Sequence, residues 1–160
     1  MFSVTLLTVG KLKEAFYAQA VAEYRKRLGA YCKCTVTELV EARLPENANE
    51  KEIQAGLSKE ALLIRARIPK GAWLCVLTPE GELLSSEAFA QTLQAVKHSG
   101  KSHACFLIGS SHGIDAGIKA QADLRLSFGR MTFPHHLMRV MALEQIYRAE
   151  TIQAGTHYHK

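Results

Sequence analysis

Two short segments, residues 72–77 and 104–108, are almost wholly apolar and end in turn or loop residues, and no other feature narrows the fold as much. A strand with one face in water alternates apolar and polar side chains. A strand that is apolar on both faces must be covered on both, as in parallel sheets flanked by helices. The rest of the chain fits that scheme. Residues 2–9, rich in β-branched and large apolar side chains, predict a first strand. Residues 12–28 carry Phe16, Ala20, Val21, Tyr24 and Leu28 at helical spacing, and Gly29 is a reasonable stop. A second strand over 35–40 leads through a polar loop over 41–52 into a helix that ends near Arg67. After the strand over 72–77, Thr78-Pro79-Glu80-Gly81 predicts a turn or loop, and Ser85 or Ser86 caps a helix that ends near Gly100. The strand over 104–108, a loop over 109–113, a short helix over 114–122, a last strand over 124–128 and a loop over 129–134 then lead into a long helix to about Ala154. Such alternation implies an α/β fold with a mostly parallel sheet and helices on both faces, and 160 residues make a single domain, 1–160.

Ligands of open α/β sheets bind beyond the carboxyl ends of the strands, which selects the loops after Leu77, Ile108 and Phe128. Gly109-Ser110-Ser111-His112-Gly113 has two glycines four apart, which permit positive φ and close approach of a ligand to the backbone. It is neither GxGxxG nor a P-loop with its Lys-Ser/Thr, so a plain strand-to-helix turn stands beside the binding reading. The loop through Gly129 and Pro134 can wrap a purine with backbone groups and Phe or Met side chains, or can simply pack. The long helix has apolar residues all round its axis, which buries it on more than one side and points to a second subunit. Of its charges, Glu144 and Arg148 are spaced for an ion pair, and Arg139 lies away from them. Each arginine therefore has a pairing role open beside a functional one. The tail adds His157, Tyr158, His159 and Lys160, groups that exchange protons near neutral or mildly alkaline pH.

The charge balance, 20 basic against 15 acidic residues and a formal +5, suits a polyanionic partner. No apolar run approaches the ~20 residues that cross a bilayer, and the apolar start lacks a basic flank and a cleavage site, so a cytoplasmic protein with no membrane partner is expected. Cys32, Cys34, Cys75 and Cys105 form no CxxC pair, and no metal is expected.

Several motifs together carry a family resemblance: Val9-Gly10-Lys11, the strand ending at Leu77, Leu107-Ile108-Gly109, Thr132-Phe133-Pro134-His135 continuing through Met138-Arg139-Val140, Glu144-Gln145-Ile146-Tyr147-Arg148-Ala149, and Tyr158-His159. Over its full length the chain resembles the RlmH family, pseudouridine N3-methyltransferases of 23S ribosomal RNA within the knotted SPOUT group. The resemblance implies a C-terminal trefoil knot, a homodimer, S-adenosyl-L-methionine as methyl donor, no metal, and ribosomal RNA of the large subunit or whole ribosome as partner. Carried over position by position, cofactor contacts fall on Leu77, Gly109, Phe128, Gly129, Arg130, Met131, Thr132 and Phe133. The catalytic and RNA-binding residues fall on His135, Arg139, Arg148 and Tyr158. The implied reaction methylates N3 of a pseudouridine in helix 69, with the base open between His135, Tyr158 and water, and with Arg139 and Arg148 facing the developing imide anion and phosphates. One departure stands out: many relatives carry Gly-Gly-Pro-Glu-Gly where this chain has residues 109–113, so the family's acidic residue is replaced by His112. A transfer RNA methyltransferase of the same fold and a non-enzymatic ribosome-assembly factor are the competing readings.

Overall fold

The computed structural model describes residues 1–160 and alternates five strands with five helices. In order they are β1 (Ser3–Val9), α1 (Ala15–Leu28), β2 (Lys33–Leu39), α2 (Glu50–Arg67), β3 (Trp73–Leu83), α3 (Ser86–His98), β4 (His103–Ile108), α4 (Ala116–Gln121), β5 (Leu124–Ser127) and α5 (His135–Gln153). The strands form one sheet in the order β2-β1-β4-β3-β5, and every strand pairing is parallel.

Strand side chains alternate between the two faces of a sheet, and here that alternation divides the core in two. Val4, Leu6, Cys75, Leu77, Phe106 and Ile108 pack against α1, α3 and α5. Leu7, Val9, Leu74, Val76, Cys105 and Leu107 pack against α2 and α4. The unbroken apolar runs of β3 and β4 are thus the mark of a sheet covered on both sides. Cys32, Cys75 and Cys105 are buried, and all four thiols are free. Burial pushes the Cys32 and Cys105 thiols up to about 12, so they behave as small apolar groups.

Local caps set several helix starts. Asn49 accepts a 2.8 Å hydrogen bond from the Glu52 amide, and the Glu52 carboxylate accepts from the Asn49 amide at 3.2 Å, so α2 begins inside the stretch expected to be loop. Ser85 is the cap of α3, accepting from the Ala88 amide, while Ser86 donates to Gln145 of α5. Helix α1 begins at Ala15 rather than Leu12, because the Leu12 amide donates to Glu38 at 2.8 Å and holds the chain off the helical path. Helix α4 begins at Ala116, capped by Asp115, and Ile114 is buried in the core instead of opening the helix.

The turn or loop expected at residues 78–81 is corrected: it lies inside a strand. Strand β3 runs on to Leu83 and pairs with β5 on both sides of a register shift, so Leu126 faces Leu77 and then Glu82. Residues 78–81 form an irregularity inside the strand. Gly81 makes this possible: a Cβ there would lie 2.7 Å from backbone atoms of Arg125 and Leu126. Side chains separate turns from bulges poorly when both use Pro and Gly, and only the neighbouring strand decides.

Candidate active site at the carboxyl ends of β3 and β4

A cleft of about 560 Å³ opens beyond the carboxyl ends of β3 and β4. Leu77, Thr78 and Pro79 form one wall, Ile108, Gly109, Ser110, Ser111, Gly113 and Ile114 a second, and Thr132, Phe133, Pro134, His135 and Met138 the third, with Lys119 at one side. A smaller hollow of about 60 Å³ shares Thr78, Pro79, Thr132, Phe133 and Met138 with it and adds Ser127, Phe128, Gly129 and Met131. These are the loops selected by the rule for open α/β sheets.

The loops are held by their own backbones. The Gly113 amide donates to the Ser110 carbonyl at 2.9 Å, with Gly113 at φ +97. Gly109 sits against that turn, where a Cβ would collide with the Gly113 carbonyl oxygen and the Ile114 side chain. At the third wall, the Ser127 hydroxyl donates to the Gly129 carbonyl and accepts from the Gly129 amide, both at 3.1 Å, and Gly129 takes φ +130. Backbone packed this closely presents peptide groups to a ligand at fixed positions. Thr78 Oγ1 and Ser110 Oγ on the walls are buried without a hydrogen-bond partner of good geometry. Buried hydroxyls normally find partners, and unpaired ones beside a cleft mark places for them.

His135 opens α5 and faces the cleft. Burial first, then His136 and Arg139, hold its pKa below the ordinary 6.5, so it is a neutral imidazole at neutral pH. Lys119 is occupied by Glu80 at 2.6 Å, and that contact first of all holds the Glu80 carboxyl down at about 2.

Leu77, Gly109, Thr132, Phe133 and His135 line the cleft, and Phe128, Gly129 and Met131 line the smaller hollow. Arg130 is exposed and lines neither. Arg139 is 1% exposed: Nη1 donates to Glu38 at 2.7 Å and Nη2 to the Gly10 carbonyl at 2.8 Å, tying α5 to the ends of β1 and β2. Arg148 and Tyr158 lie elsewhere. Arg148 Nε donates to Glu144 at 2.7 Å, the spaced pair expected from sequence, and its guanidinium lies 4.7 Å from the centre of the Tyr158 ring. The Tyr158 hydroxyl donates to the other Glu144 oxygen at 2.8 Å, and His159 bridges Arg148 at 3.1 Å and Glu87 at 2.6 Å. Burial and the Glu144 carboxylate raise the Tyr158 pKa, so it remains a phenol. At 1.5 Å per residue, Arg148 lies about 20 Å along α5 from His135. One chain therefore does not bring the four together. No group of three or more His, Cys, Asp or Glu side chains is gathered to hold a metal.

Comparison with known proteins decides what such a cleft belongs to. Residues 2–159 match the family model described as "Predicted SPOUT methyltransferase". The chain belongs to the SPOUT methyltransferase family. It is 44% identical over 158 residues to the ribosomal RNA large subunit methyltransferase H of Leuconostoc mesenteroides, covering 99% of each chain. It is 43% identical over 157 residues to the protein of that name from Streptococcus equi subsp. zooepidemicus, covering 98% of this chain and 99% of that one. A solved structure of a probable methylase family protein from Haemophilus influenzae superposes with a TM-score of 0.56 at 11% identity, over 99% of this chain and 71% of that one, a likeness of fold.

Within this SPOUT chain, sequence reasoning missed Thr78, Pro79, Ile114, Lys119 and Met138 as cleft residues. Thr78 and Pro79 had a signal, since they directly follow Leu77 at a strand end. Lys119 had none, because only the packing of α4 brings it to the rim.

Proposed function

We propose that the chain is an S-adenosyl-L-methionine-dependent methyltransferase that methylates N3 of a pseudouridine in helix 69 of 23S ribosomal RNA, in the cytoplasm. The observation that carries this reading is full-length identity of 44% to a protein named for methylation of large-subunit ribosomal RNA, together with a backbone-walled cleft at the expected strand ends. The cleft suits the donor: apolar Leu77, Ile108, Ile114, Phe133 and Met138 offer surface for the adenine, and Thr78 Oγ1 and the folded loops offer polar groups for the rest. Bound there, the donor supplies an electrophilic methyl group.

His135 is the base. It is the one proton acceptor among the four candidates that lines the cleft, and it is neutral at working pH, so it takes the N3 imide proton as the N–C bond forms. Tyr158 is a weaker candidate, because a phenol with a raised pKa that already donates to Glu144 accepts no proton near pH 7. Arg139 acts by position, fixing the start of α5 through Glu38 and Gly10. Arg148 and Tyr158 meet the substrate across a homodimer, the partner's tail standing beside this chain's cleft. That arrangement is supported by the length of α5 between the two clusters, and by the half-buried apolar Leu137, Val140 and Met141 on a helix with no fully exposed residue.

The chain also forms a trefoil knot. Support comes from the path: β5 is an edge strand, yet α5, which follows it, packs between α1 and α3. The test of the activity is mass mapping of 23S ribosomal RNA from ribosomes of a strain lacking the protein, before and after treatment with the purified chain and S-adenosyl-L-methionine. Gain of one methyl on a helix 69 pseudouridine is expected, and methylation of transfer RNA instead would overturn the assignment of substrate.

A further inference from the structure

Phe16 and Tyr17, at the start of α1, have no part in the chemistry described so far, yet the segment that leads into them is fastened to the catalytic end of α5. Arg139 Nη2 donates to the Gly10 carbonyl at 2.8 Å. The Leu12 amide donates to Glu38 Oε2 at 2.8 Å, and the same oxygen accepts from Arg139 Nη1 at 2.7 Å. His136 Nδ1 donates to Glu14 at 3.0 Å. Residues 10–14 are thereby held beside the first turn of α5, which begins at His135.

From this fastened segment a row of rings leads outward from the cleft. His135 lines the cleft, and its ring centre is 4.3 Å from that of His136. The His136 ring stands edge-on to Tyr17 at 6.4 Å, and the Tyr17 ring centre is 4.4 Å from that of Phe16. The row ends in solvent, where Phe16 is 64% exposed. A single exposed apolar side chain is ordinary and needs no explanation. This one continues a row that starts at the proposed base. Just ahead of it in the chain, Lys11 and Lys13 are exposed and enter none of the ion pairs. An open aromatic face accompanied by free cations suits single-stranded nucleic acid, with the ring stacked on a base and the ammonium groups on phosphates. A second copy of the chain suits the same place less well, because it brings its own formal +5 toward the two lysines.

We propose that Phe16 stacks on an unpaired RNA base next to the methylated nucleotide, with Lys11 and Lys13 on the phosphates around that base. The start of α1 then aligns the target over His135. The proposal rests on the reading of the cleft as the place where ribosomal RNA is methylated. It requires that loss of the ring weaken RNA binding and leave donor binding and the transfer step alone.

The test follows methylation of ribosomes from a strain lacking the protein by the full chain. S-adenosyl-L-methionine affinity by calorimetry, oligomeric state by sedimentation and thermal unfolding are recorded for each variant. Phe16→Ala is expected to raise KM for ribosomes about tenfold, the scale of one lost stacked base, while kcat and the donor Kd stay within about threefold. Phe16→Trp keeps KM near that of the unaltered chain, and Phe16→Leu raises it nearly as much as alanine does. Stacking needs a flat ring, whereas packing against protein needs only apolar bulk. Lys11→Gln combined with Lys13→Gln raises KM and flattens the slope of log KM against log salt by about 1.4, the share of two single-strand phosphate contacts. Four results overturn the proposal and leave the methyltransferase reading standing: an unchanged KM for ribosomes in Phe16→Ala, full function in Phe16→Leu, an unaltered salt slope in the lysine variant, or a changed oligomeric state, which would put a second copy on the ring. No methylation of ribosomes by the unaltered chain overturns both.

Discussion

The two ends of α5 are built on opposite plans. At the amino-terminal end, His135 opens onto walls made mostly of backbone, with two buried hydroxyls unpaired and an imidazole held neutral by burial. At the carboxyl-terminal end, Glu144, Arg148, Tyr158 and His159 satisfy one another through side-chain hydrogen bonds and a cation–π contact. The first arrangement is incomplete without a ligand and the second is complete without one. The difference teaches that sharing a helix does not make residues share a site: about 20 Å of helix separates the two clusters within one chain.

The most forceful way to break the comparison is to remove the one proton acceptor at the open end. His135→Ala should lower the single-turnover methylation rate by roughly 10²–10⁴-fold, the usual contribution of a general base, with little change in donor affinity. The pH profile sharpens the same point. Because the His135 pKa lies below 6.5, the rate should be flat above that value and fall about tenfold per unit once pH drops through it, as the base becomes protonated. A rate that climbs instead toward strongly alkaline pH would move the base to Tyr158, whose pKa is raised.

Arg139→Ala tests whether the buried arginine belongs to the frame or to the chemistry. Breaking its pair with Glu38 should cost about 2–4 kcal/mol in urea unfolding, less than for a fully enclosed pair because Glu38 is itself partly exposed. An unaltered unfolding midpoint with lost activity would return Arg139 to the catalytic group. Gly109→Ala is next in size: the added methyl meets Gly113 and Ile114, and the loop must shift. Overpacking of this kind costs about 1–3 kcal/mol, seen as roughly 10–100-fold weaker donor binding in calorimetry. The smallest effect belongs to the self-satisfied end. Tyr158→Phe removes one hydrogen bond to Glu144 and should lower stability by about 1 kcal/mol. A rate loss far larger than that, in a variant of otherwise normal stability, would support the proposed homodimer in which a second copy's tail meets the cleft.

Much of the frame was legible in the sequence. The apolar runs at 72–77 and 104–108 announced a sheet covered on both faces, and the strand-end rule pointed to loops that do line the cleft. The Glu144–Arg148 pair followed from helical spacing. Less legible was the continuation of β3 through residues 78–81, where Pro and Gly signalled a stop and the pairing with β5 overrode it. Least legible were the partners of buried charges. Arg139 read either as an ion-pair partner or as an RNA contact, and the fold gives it Glu38, 101 positions away, a partner that the sequence did not name.

By itself, then, the sequence determined the elements, their order and the family, because periodicity, caps and glycine punctuation act within a few residues. The tertiary structure alone decided which polar groups are spent on one another and which remain open to a ligand. Those pairings join segments far apart in the chain, and whether a charge is paired or free depends on desolvation and distance, quantities that exist only once the sheet is assembled.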